Sequence, residues 1–475
     1  PSSAPPTNSA FSDYDHLRDY NKMSVERLQK YVKANKLVAD QVVKDKGDSI
    51  LNCSAGSGKA CVSKWLSEKL PSLWKAPVSA AELATQIAFF EKAGSDKLGL
   101  TRLIERILLS HQFLYRSQLG LSGQLTSWEV ASSLADALWD APVTGDLAAL
   151  ANADGLKTAA NIEKQIQKMT ADPKFYRGVK RFVRAWLRAS HLENKMFKPE
   201  QQISDKAKEQ MIDESTNFLF YLIRNKQDTM DGIFKSKFTI GKQEMATAYN
   251  FQIESAIPED MGMGKDLKKL TLPEGRFGIF GQPGLLVGLS SLEKTNIPRR
   301  GQEVMAQFMC QGLATPENLV DAVKSVGATI DPNDSVVNFF DKVSKSSPVC
   351  SNCHNFINGV GFGLEEVGST GKFRTLDDHM KPVVSEGALI GIEGYKTPYT
   401  GVSGLNTTMS TSLDFKACLT VQLFRYVNGR LETKQDSCSI ASSLKKANST
   451  TLTFSSIFSA ILTDKGFINR KKAGE

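Results

Sequence analysis

Apolar residues recur at helical spacing through the first half of the chain. Three of these stripes are Leu103-Ile104-Ile107-Leu108, Val130-Leu134-Leu138 and Ile162-Ile166-Met169. Side chains three or four positions apart lie on one face of a helix, so each stripe predicts an amphipathic helix with one buried face. The apolar run at residues 218–223 predicts a further buried helix.

Two helix starts are marked by a capping box, in which a hydroxyl side chain and a glutamate three positions later satisfy each other's backbone amides. Ser79 with Glu82 and Thr126 with Glu129 have this pattern. Residues 107–114 also have the pattern of an apolar helix, which His111 interrupts. For His111 we expect a hydrogen-bonded position in the core, with ligation of a metal from a distance as the alternative.

The composition of the chain changes near residue 275, where glycine and proline become frequent and indicate surface loops. Helices are predicted again at residues 301–309, from Thr315, and at residues 336–343. Short strand-like pieces follow Ser385, and two more helices are predicted near residues 415–426 and 454–462. The predicted fold class is therefore mainly α, in a multi-domain helical protein.

A chain of 475 residues is too long for one small core, so several domains are expected. The Pro/Ser-rich start predicts a flexible tether over residues 1–23. Helical domains are predicted at residues 24–124 and 125–270, followed by a segment at 271–384 that carries the Cys/His motif described below. A C-terminal helical domain is predicted at residues 385–475.

Composition removes several classes of protein. Hydrophobic residues make up 41% and charged residues 23%, which excludes disorder, collagen-like repeats and a dense disulfide scaffold. No apolar run approaches the roughly 18 residues of a membrane span, so we expect no transmembrane segment. The net charge of +8 is spread over the chain; it favours acidic partners and does not by itself indicate nucleic-acid binding.

One motif carries specific chemistry. Residues 350–354 read Cys-Ser-Asn-Cys-His, the C-x-x-C-H attachment signal of c-type haem. Two thiols three positions apart reach the two vinyl groups of the porphyrin, and the next imidazole reaches the iron from the same side. We therefore predict one covalently attached haem c, bound by Cys350 and Cys353 with His354 as proximal ligand, in a cytochrome c-like segment near the C-terminal third.

Three other functions of the motif fit the sequence less well. A thioredoxin-like dithiol needs a strand–helix–strand setting, whereas this motif follows a predicted helix. A zinc site needs a second Cys/His pair, which the sequence does not supply. A disulfide between Cys350 and Cys353 would leave His354 unexplained. Covalent haem accounts for all three residues.

Haem attachment outside the cytoplasm predicts an exported protein, in the periplasm or on the surface of a bacterial cell, where disulfides persist. Cys53 and Cys61 flank a flexible loop that can close a disulfide, and Cys418 with Cys438 is the next pair we expect. Cys310 is left over, and we expect a buried thiol there.

With this motif in place, much of the chain resembles the planctomycete-type cytochrome c family, multi-domain envelope proteins built of domains of unknown function. The resemblance covers roughly residues 53–470, and its strength lies in the shared order of short motifs. These are Cys53…Cys61; Phe113-Leu114-Tyr115-Arg116; Leu125-Thr126 through Leu138-Trp139; Arg300-Gly301; Phe362-Gly363-Leu364-Glu365 with Gly371-Lys372-Phe373-Arg374; and Phe424-Arg425-Tyr426 with Gly429-Arg430 and Cys438.

The sixth iron ligand decides the function, because a haem with two protein ligands carries electrons whereas an open position binds small molecules. We predict Met409, a thioether in a polar stretch, as this ligand. The alternatives are His379, Met380 and His111, with a solvated surface position as the simpler reading of His379. Arg374 and Arg300 are predicted either to pair with haem propionates or to lie on the surface.

The sequence thus predicts an exported monohaem cytochrome that transfers one electron at a time to a redox partner protein, for which an acidic surface is expected. A haem enzyme, peroxidase- or oxidase-like, is the alternative, because roughly 300 residues precede the motif. A third reading is an envelope scaffold stabilised by haem. We expect no nucleic-acid partner, and the N-terminal tether suggests peripheral membrane attachment through an N-terminal lipid.

Overall fold

A computed structural model of the protein describes residues 23–120, 123–312, 331, 333–346, 348–391 and 394–469. Helices account for 62% of it and strands for 8%, so the predicted mainly α class is confirmed. The predicted tether and the helix start at Thr315 lie outside the described residues, apart from Met23. The described chain divides into two compact units, the first extending to Asp172 with residues 462–469, the second covering Pro173–Ile461.

The first unit is built of helices with one two-stranded ribbon, β1 (Asn52–Cys53) and β2 (Gly56–Ser57). Its helices are α1 (Val25–Leu51), α2 (Lys59–Trp74), α3 (Ala80–Glu91), α4 (Asp96–Leu108), α5 (His111–Leu114), α6 (Ser127–Leu134), α7 (Gly145–Asn152) and α8 (Ala159–Ala171). A π-helical turn, Ala135–Trp139, continues α6.

The predicted stripes of this unit are buried. Leu103, Ile104 and Ile107 on α4 pack with apolar residues of α1, α2 and α3 in one core. Both capping boxes are present: the Ser79 and Thr126 hydroxyls accept the amides of Glu82 and Glu129, whose carboxylates accept in return. The local sequence therefore sets where these helices begin.

The core position predicted for His111 is wrong. Ser110 accepts the amide of Phe113 and begins the short helix α5, so the apolar stretch is two helices and not one. His111 occupies the first position of α5 and is exposed. The chain turns between the end of α4 at Leu108 and the start of α5 at His111. The sequence did not indicate this turn, because apolar residues lie on both sides of it.

The second unit contains most of the helices. They are α9 (Phe175–Trp186), α10 (Ser190–Glu193), α11 (Asp205–Arg224), α12 (Met230–Lys235), α13 (Gln243–Tyr249), α14 (Pro283–Gly288), α15 (Ile297–Phe308), α16 (Val336–Lys345), α17 (Pro348–Phe362), α18 (Gly401–Thr411), α19 (Leu413–Asn428), α20 (Ser437–Ala447) and α21 (Phe454–Leu462). The short helix α22 (Lys465–Ile468) belongs to the first unit.

Two small antiparallel sheets complete the second unit. β3 (Phe238–Gly241), β4 (Gln252–Ala256) and β5 (Lys268–Thr271) form a sheet in the order β3-β5-β4, with Phe238 opposite Thr271. β6 (Glu386–Ile390) and β7 (Lys396–Thr400) form the strand-like segment predicted after Ser385, with Glu386 opposite Thr400.

Aromatic side chains join the helices of this unit. The ring of Trp186 on α9 lies 5.0 Å from that of Phe308 on α15, and Phe182 lies 5.4 Å from Tyr426 on α19, between ring centroids. The indole N–H of Trp186 donates to the carbonyl of Gln307 at 2.8 Å. Buried aromatic pairs of this kind add to the stability that apolar burial provides.

The structure confirms one predicted disulfide and corrects the other. Cys53 and Cys61 are joined, with their Cα atoms 5.6 Å apart. Cys418 is joined to Cys310, and Cys438 is an exposed, reduced thiol, so the predicted pair Cys418–Cys438 and the predicted buried thiol at Cys310 are wrong. The reason is the helix face: Cys418 lies on the buried side of α19, which packs against α15, and Cys310 follows the end of α15.

Removing this bond by changing Cys310 and Cys418 together to Ser is expected to lower the free energy of unfolding by about 2–5 kcal/mol, because the bond closes a loop of 108 residues. Chemical denaturation measures the loss. The control, Cys438→Ser, should stay within about 0.5 kcal/mol of the parent protein. A disulfide-linked peptide joining Cys418 to Cys438 in a non-reducing digest would contradict the assignment.

Glu214 is a fully buried carboxylic acid on α11. It accepts hydrogen bonds from the Thr239 hydroxyl at 2.8 Å and from the Gly284 amide at 2.9 Å. Burial raises the pKa of Glu214 to about 7, against the opposing effects of those hydrogen bonds and of Arg276. The stability that the protonated acid contributes is therefore complete below the unfolded pKa of 4.5 and is lost as the pH rises through 7.

Glu214→Gln is uncharged: its Oε1 atom can accept from the Gly284 amide, and its NH₂ group can donate to the Thr239 hydroxyl instead of accepting from it. Its stability relative to the parent protein should therefore rise by roughly 3 kcal/mol as the pH rises from acidic to mildly alkaline values. Urea unfolding at several pH values measures this difference. Glu209→Gln, at an exposed position of the same helix, serves as control, and an equal rise in that variant would argue against Glu214 as the source.

Candidate functional site

The C-x-x-C-H motif lies near the start of α17, immediately after α16. Cys350 is buried, Cys353 and His354 are half-buried, and both thiols are reduced. Positions three and four apart share one helix face, so the two sulfur atoms and the imidazole lie on the same side of α17. The motif thus follows a helix, as predicted, and it lies on a helix of 15 residues.

The imidazole of His354 is held from one side. Its Nδ1 atom lies 3.0 Å from the Oδ1 atom of Asn358, and the Nδ2 atom of Asn358 donates to the carbonyl of Phe340 at 3.2 Å. The ring of Phe340, on α16, is stacked on that of His354 with a centroid distance of 6.4 Å. With Nδ1 engaged, Nε2 is the nitrogen that remains to bind a metal, so the residues present fit a haem whose iron His354 would hold.

Helix α17 is packed tightly against α15. A Cβ atom at Gly301 would overlap the carbonyl oxygen of Ile357, and one at Gly361 would overlap that of Ile297. Any larger residue at either glycine would therefore push the two helices apart. The Arg300-Gly301 pair of the sequence resemblance thus has a physical role at Gly301, which lets the backbones touch.

Arg300 binds the segment that follows α17. Its guanidinium has no exposed surface and donates to the carbonyls of Leu364, Val367 and Gly368 at 2.7–3.2 Å, and to the Ser290 hydroxyl at 2.9 Å. The expectation that Arg300 lies on the surface is therefore wrong. These carbonyls lie in the segment that follows the last residue of α17, Phe362, and the buried guanidinium fixes that segment.

The residues after α17, 364–371, form what we name the anchored loop. Besides the carbonyls that Arg300 binds, those of Ser369, Thr370 and Gly371 accept from distant side chains. The donors are the Lys195 ammonium at 3.2 Å, the Tyr249 hydroxyl at 2.7 Å and the Arg276 guanidinium at 2.8 Å. Arg374 satisfies the remaining two carbonyls, those of Glu365 and Glu366, with its side chain and its amide. Every carbonyl of the anchored loop thus has a donor from outside it.

Arg374, predicted to meet a haem propionate, is engaged within the protein. Its guanidinium pairs with Glu365 and with Asp378, both at 2.6 Å. Burial raises the pKa of Glu365, although Arg300 and Arg374 both oppose that rise. In this structure the Arg374 guanidinium is paired with Glu365 and Asp378. Its pairing with a haem propionate stays a prediction.

The residues proposed as sixth ligand occupy different environments. Met409, in the stretch that the sequence shows to be polar, is fully buried on α18. His379 is half-buried, and its Nδ1 atom lies 2.9 Å from the carbonyl of Asp334. Met380 is 73% exposed. His111 belongs to the other compact unit.

Sequence reasoning missed several residues that shape the site. Asn358 lies four positions after His354, so helical spacing alone could have identified it as a neighbour of the imidazole. Lys195, Tyr249 and Arg276 are distant in sequence from the anchored loop, and only the folded chain reveals their bonds to it. Burial lowers the pKa of Lys195 to about 8, with smaller contributions from Arg300 and Arg299.

These features define a helical protein whose C-x-x-C-H helix is fixed at its far end by buried cations. Three family models match successive parts of the chain: proteins of unknown function DUF1592 at residues 125–251, DUF1588 at 276–377 and DUF1585 at 396–467. These three domains belong to the planctomycete cytochrome c family. The motif lies within the second of them. Neither the curated proteins nor the solved structures contain a match to this chain.

Arg300→Met is expected to lower the free energy of unfolding by roughly 3–5 kcal/mol, because it removes four hydrogen bonds and leaves the buried Glu365 with one cation fewer. Thermal or urea unfolding measures the loss. Lys294→Met changes the same charge at an exposed position six residues earlier and should have an effect within about 0.5 kcal/mol. Equal stability of the two variants would show that Arg300 does not hold the anchored loop.

Proposed function

We propose that this protein is a monohaem c-type cytochrome, with haem attached through thioether bonds to Cys350 and Cys353 and with His354 as proximal iron ligand. The observation that carries the proposal is the local geometry: two reduced thiols and an imidazole lie on one face of α17, and Nδ1 of that imidazole is already engaged by Asn358. The membership of the three matched domains in a cytochrome c family supports it.

The proposed activity is one-electron transfer, since a bound haem iron gains or loses a single electron between its ferrous and ferric forms. The protein's part is to keep the axial ligand in one position in both forms. Asn358 and Phe340 restrain the imidazole, and Gly301, Gly361 and Arg300 fix the helix that carries it. A rigid site of this kind reduces the rearrangement that accompanies each electron.

We propose that the protein acts in the bacterial envelope, in the periplasm or at the cell surface, because c-type haem is attached outside the cytoplasm. Two disulfides in the structure are compatible with such an oxidising compartment. No helix among the described residues has the length and apolarity to cross a bilayer. The proposed partner is a redox protein with an acidic surface, and attachment through an N-terminal lipid remains part of the proposal.

For the sixth position we propose Met409. The competing function is a haem enzyme with an open sixth position, and the observation that favours it is the location of Met409. Helix α18 packs against α12, β7 and the turn Ile279–Gly281, whereas α17 packs against α15, α16 and β6. The two readings differ in how the iron responds to carbon monoxide, which needs an open or labile position.

The protein made in a host that exports it and matures c-type cytochromes is expected to show a covalent c-type absorption spectrum. Haem should remain with the chain under denaturing conditions, because thioether bonds survive unfolding. The double change of Cys350 and Cys353 to Ser should abolish that retention, while Cys438→Ser, which alters an exposed thiol, should retain haem fully. Parent protein without haem would contradict the proposal.

Carbon monoxide separates the two functions. A reduced spectrum that does not change with carbon monoxide, with a far-red thioether band in the oxidised form, indicates methionine ligation and electron transfer. Met409→Ala should then lose that band and become sensitive to carbon monoxide. A parent protein that binds carbon monoxide readily would favour the enzyme, and an unchanged Met409→Ala spectrum would exclude Met409 as ligand.

A further inference from the structure

Asn358 is a buried amide with two defined contacts at the haem-attachment motif. It is 2% exposed and lies one helical turn after His354 on α17. Its Oδ1 atom faces Nδ1 of His354 at 3.0 Å, and its Nδ2 atom faces the carbonyl of Phe340, on α16, at 3.2 Å. One side chain thus connects the imidazole to the backbone of the neighbouring helix.

These contacts determine which nitrogen of His354 carries the proton. A backbone carbonyl only accepts hydrogen bonds and has two lone pairs, so the Phe340 carbonyl can accept from Asn358 while it also serves α16. The amide must therefore turn its NH₂ group toward Phe340 and its oxygen toward His354. Since that oxygen only accepts, Nδ1 of His354 must be protonated, and the lone pair of Nε2 is left for a metal.

The chemical nature of the acceptor then affects the metal. A hydrogen bond from Nδ1–H makes the imidazole a stronger electron donor at Nε2, and a carboxylate acceptor does so more than a neutral amide. A stronger donor stabilises ferric over ferrous iron and lowers the reduction potential. The effect of Asn358 is intermediate between that of a carboxylate and that of no acceptor at all, because its amide accepts a hydrogen bond and carries no negative charge.

We propose that Asn358 is a positioning residue that fixes the tautomer of His354 and sets the reduction potential of the bound haem through the Nδ1–H···Oδ1 hydrogen bond. This inference rests on the proposed haem function. It goes further by assigning the control of the potential to one side chain outside the C-x-x-C-H motif. The anchored loop holds the other end of α17, whereas Asn358 acts at the imidazole itself.

The experiment compares midpoint potentials of the haem-loaded parent protein and three variants by spectroelectrochemistry in mildly alkaline buffer. Asn358→Leu has a similar volume and no acceptor, so its potential should shift to more positive values. Asn358→Asp offers an ionised acceptor, so its potential should shift to more negative values. Asn355→Asp adds the same charge next to His354 at an exposed position and should shift the potential less than Asn358→Asp.

The outcomes separate this inference from the proposed function. Opposite shifts for Asn358→Leu and Asn358→Asp support it. Potentials of both variants equal to the parent value, or a shift of Asn355→Asp as large as that of Asn358→Asp, would overturn it while leaving the cytochrome proposal intact. Should Asn358→Leu fail to fold, the comparison of the two aspartate variants decides alone. A parent chain that attaches no haem would overturn both.

Discussion

The arrangement of the site depends on the close contact between α15 and α17. Gly301 and Gly361 allow the two backbones to touch, and this brings Arg300 to the carbonyls that follow α17. A buried guanidinium is unfavourable unless its charge and its N–H groups are satisfied. The carbonyls of the anchored loop and the Ser290 hydroxyl accept from its two terminal nitrogens, and the Glu365 carboxylate lies 3.6 Å from Nη1, whereas Nε has no hydrogen-bond partner among the described residues. Helix contact, loop conformation and buried charge therefore depend on one another.

The anchored loop also connects parts of the chain that match different family models. Lys195 and Tyr249 come from the first matched segment, and Arg276 and Arg300 come from the second. In the other direction, Glu366 of the loop accepts the amide of Val402 at the start of α18, in the third segment. Residues from all three matched segments thus contact the anchored loop within the second unit.

Sequence patterns predicted what depends on neighbours along the chain. The capping boxes at Ser79 and Thr126 begin helices, and the stripe through Leu103 is buried, because propensity and amphipathicity are local properties. The same reasoning failed at His111 and at Cys418. At His111 the spacing of apolar residues did not show that a turn divides the stretch into two helices. At Cys418 it did not show which face of α19 packs against α15.

The sequence by itself determined the helical class, the Cys53–Cys61 pair and the common face of the two thiols and the imidazole at residues 350–354, since side chains at that spacing on a helix share one face. Only the tertiary structure decided that Cys310 pairs with Cys418, that Arg300 is buried, and that Asn358 contacts both His354 and the Phe340 carbonyl. These depend on contacts between separate helices, and such contacts form only when the apolar faces pack and the buried polar groups find partners.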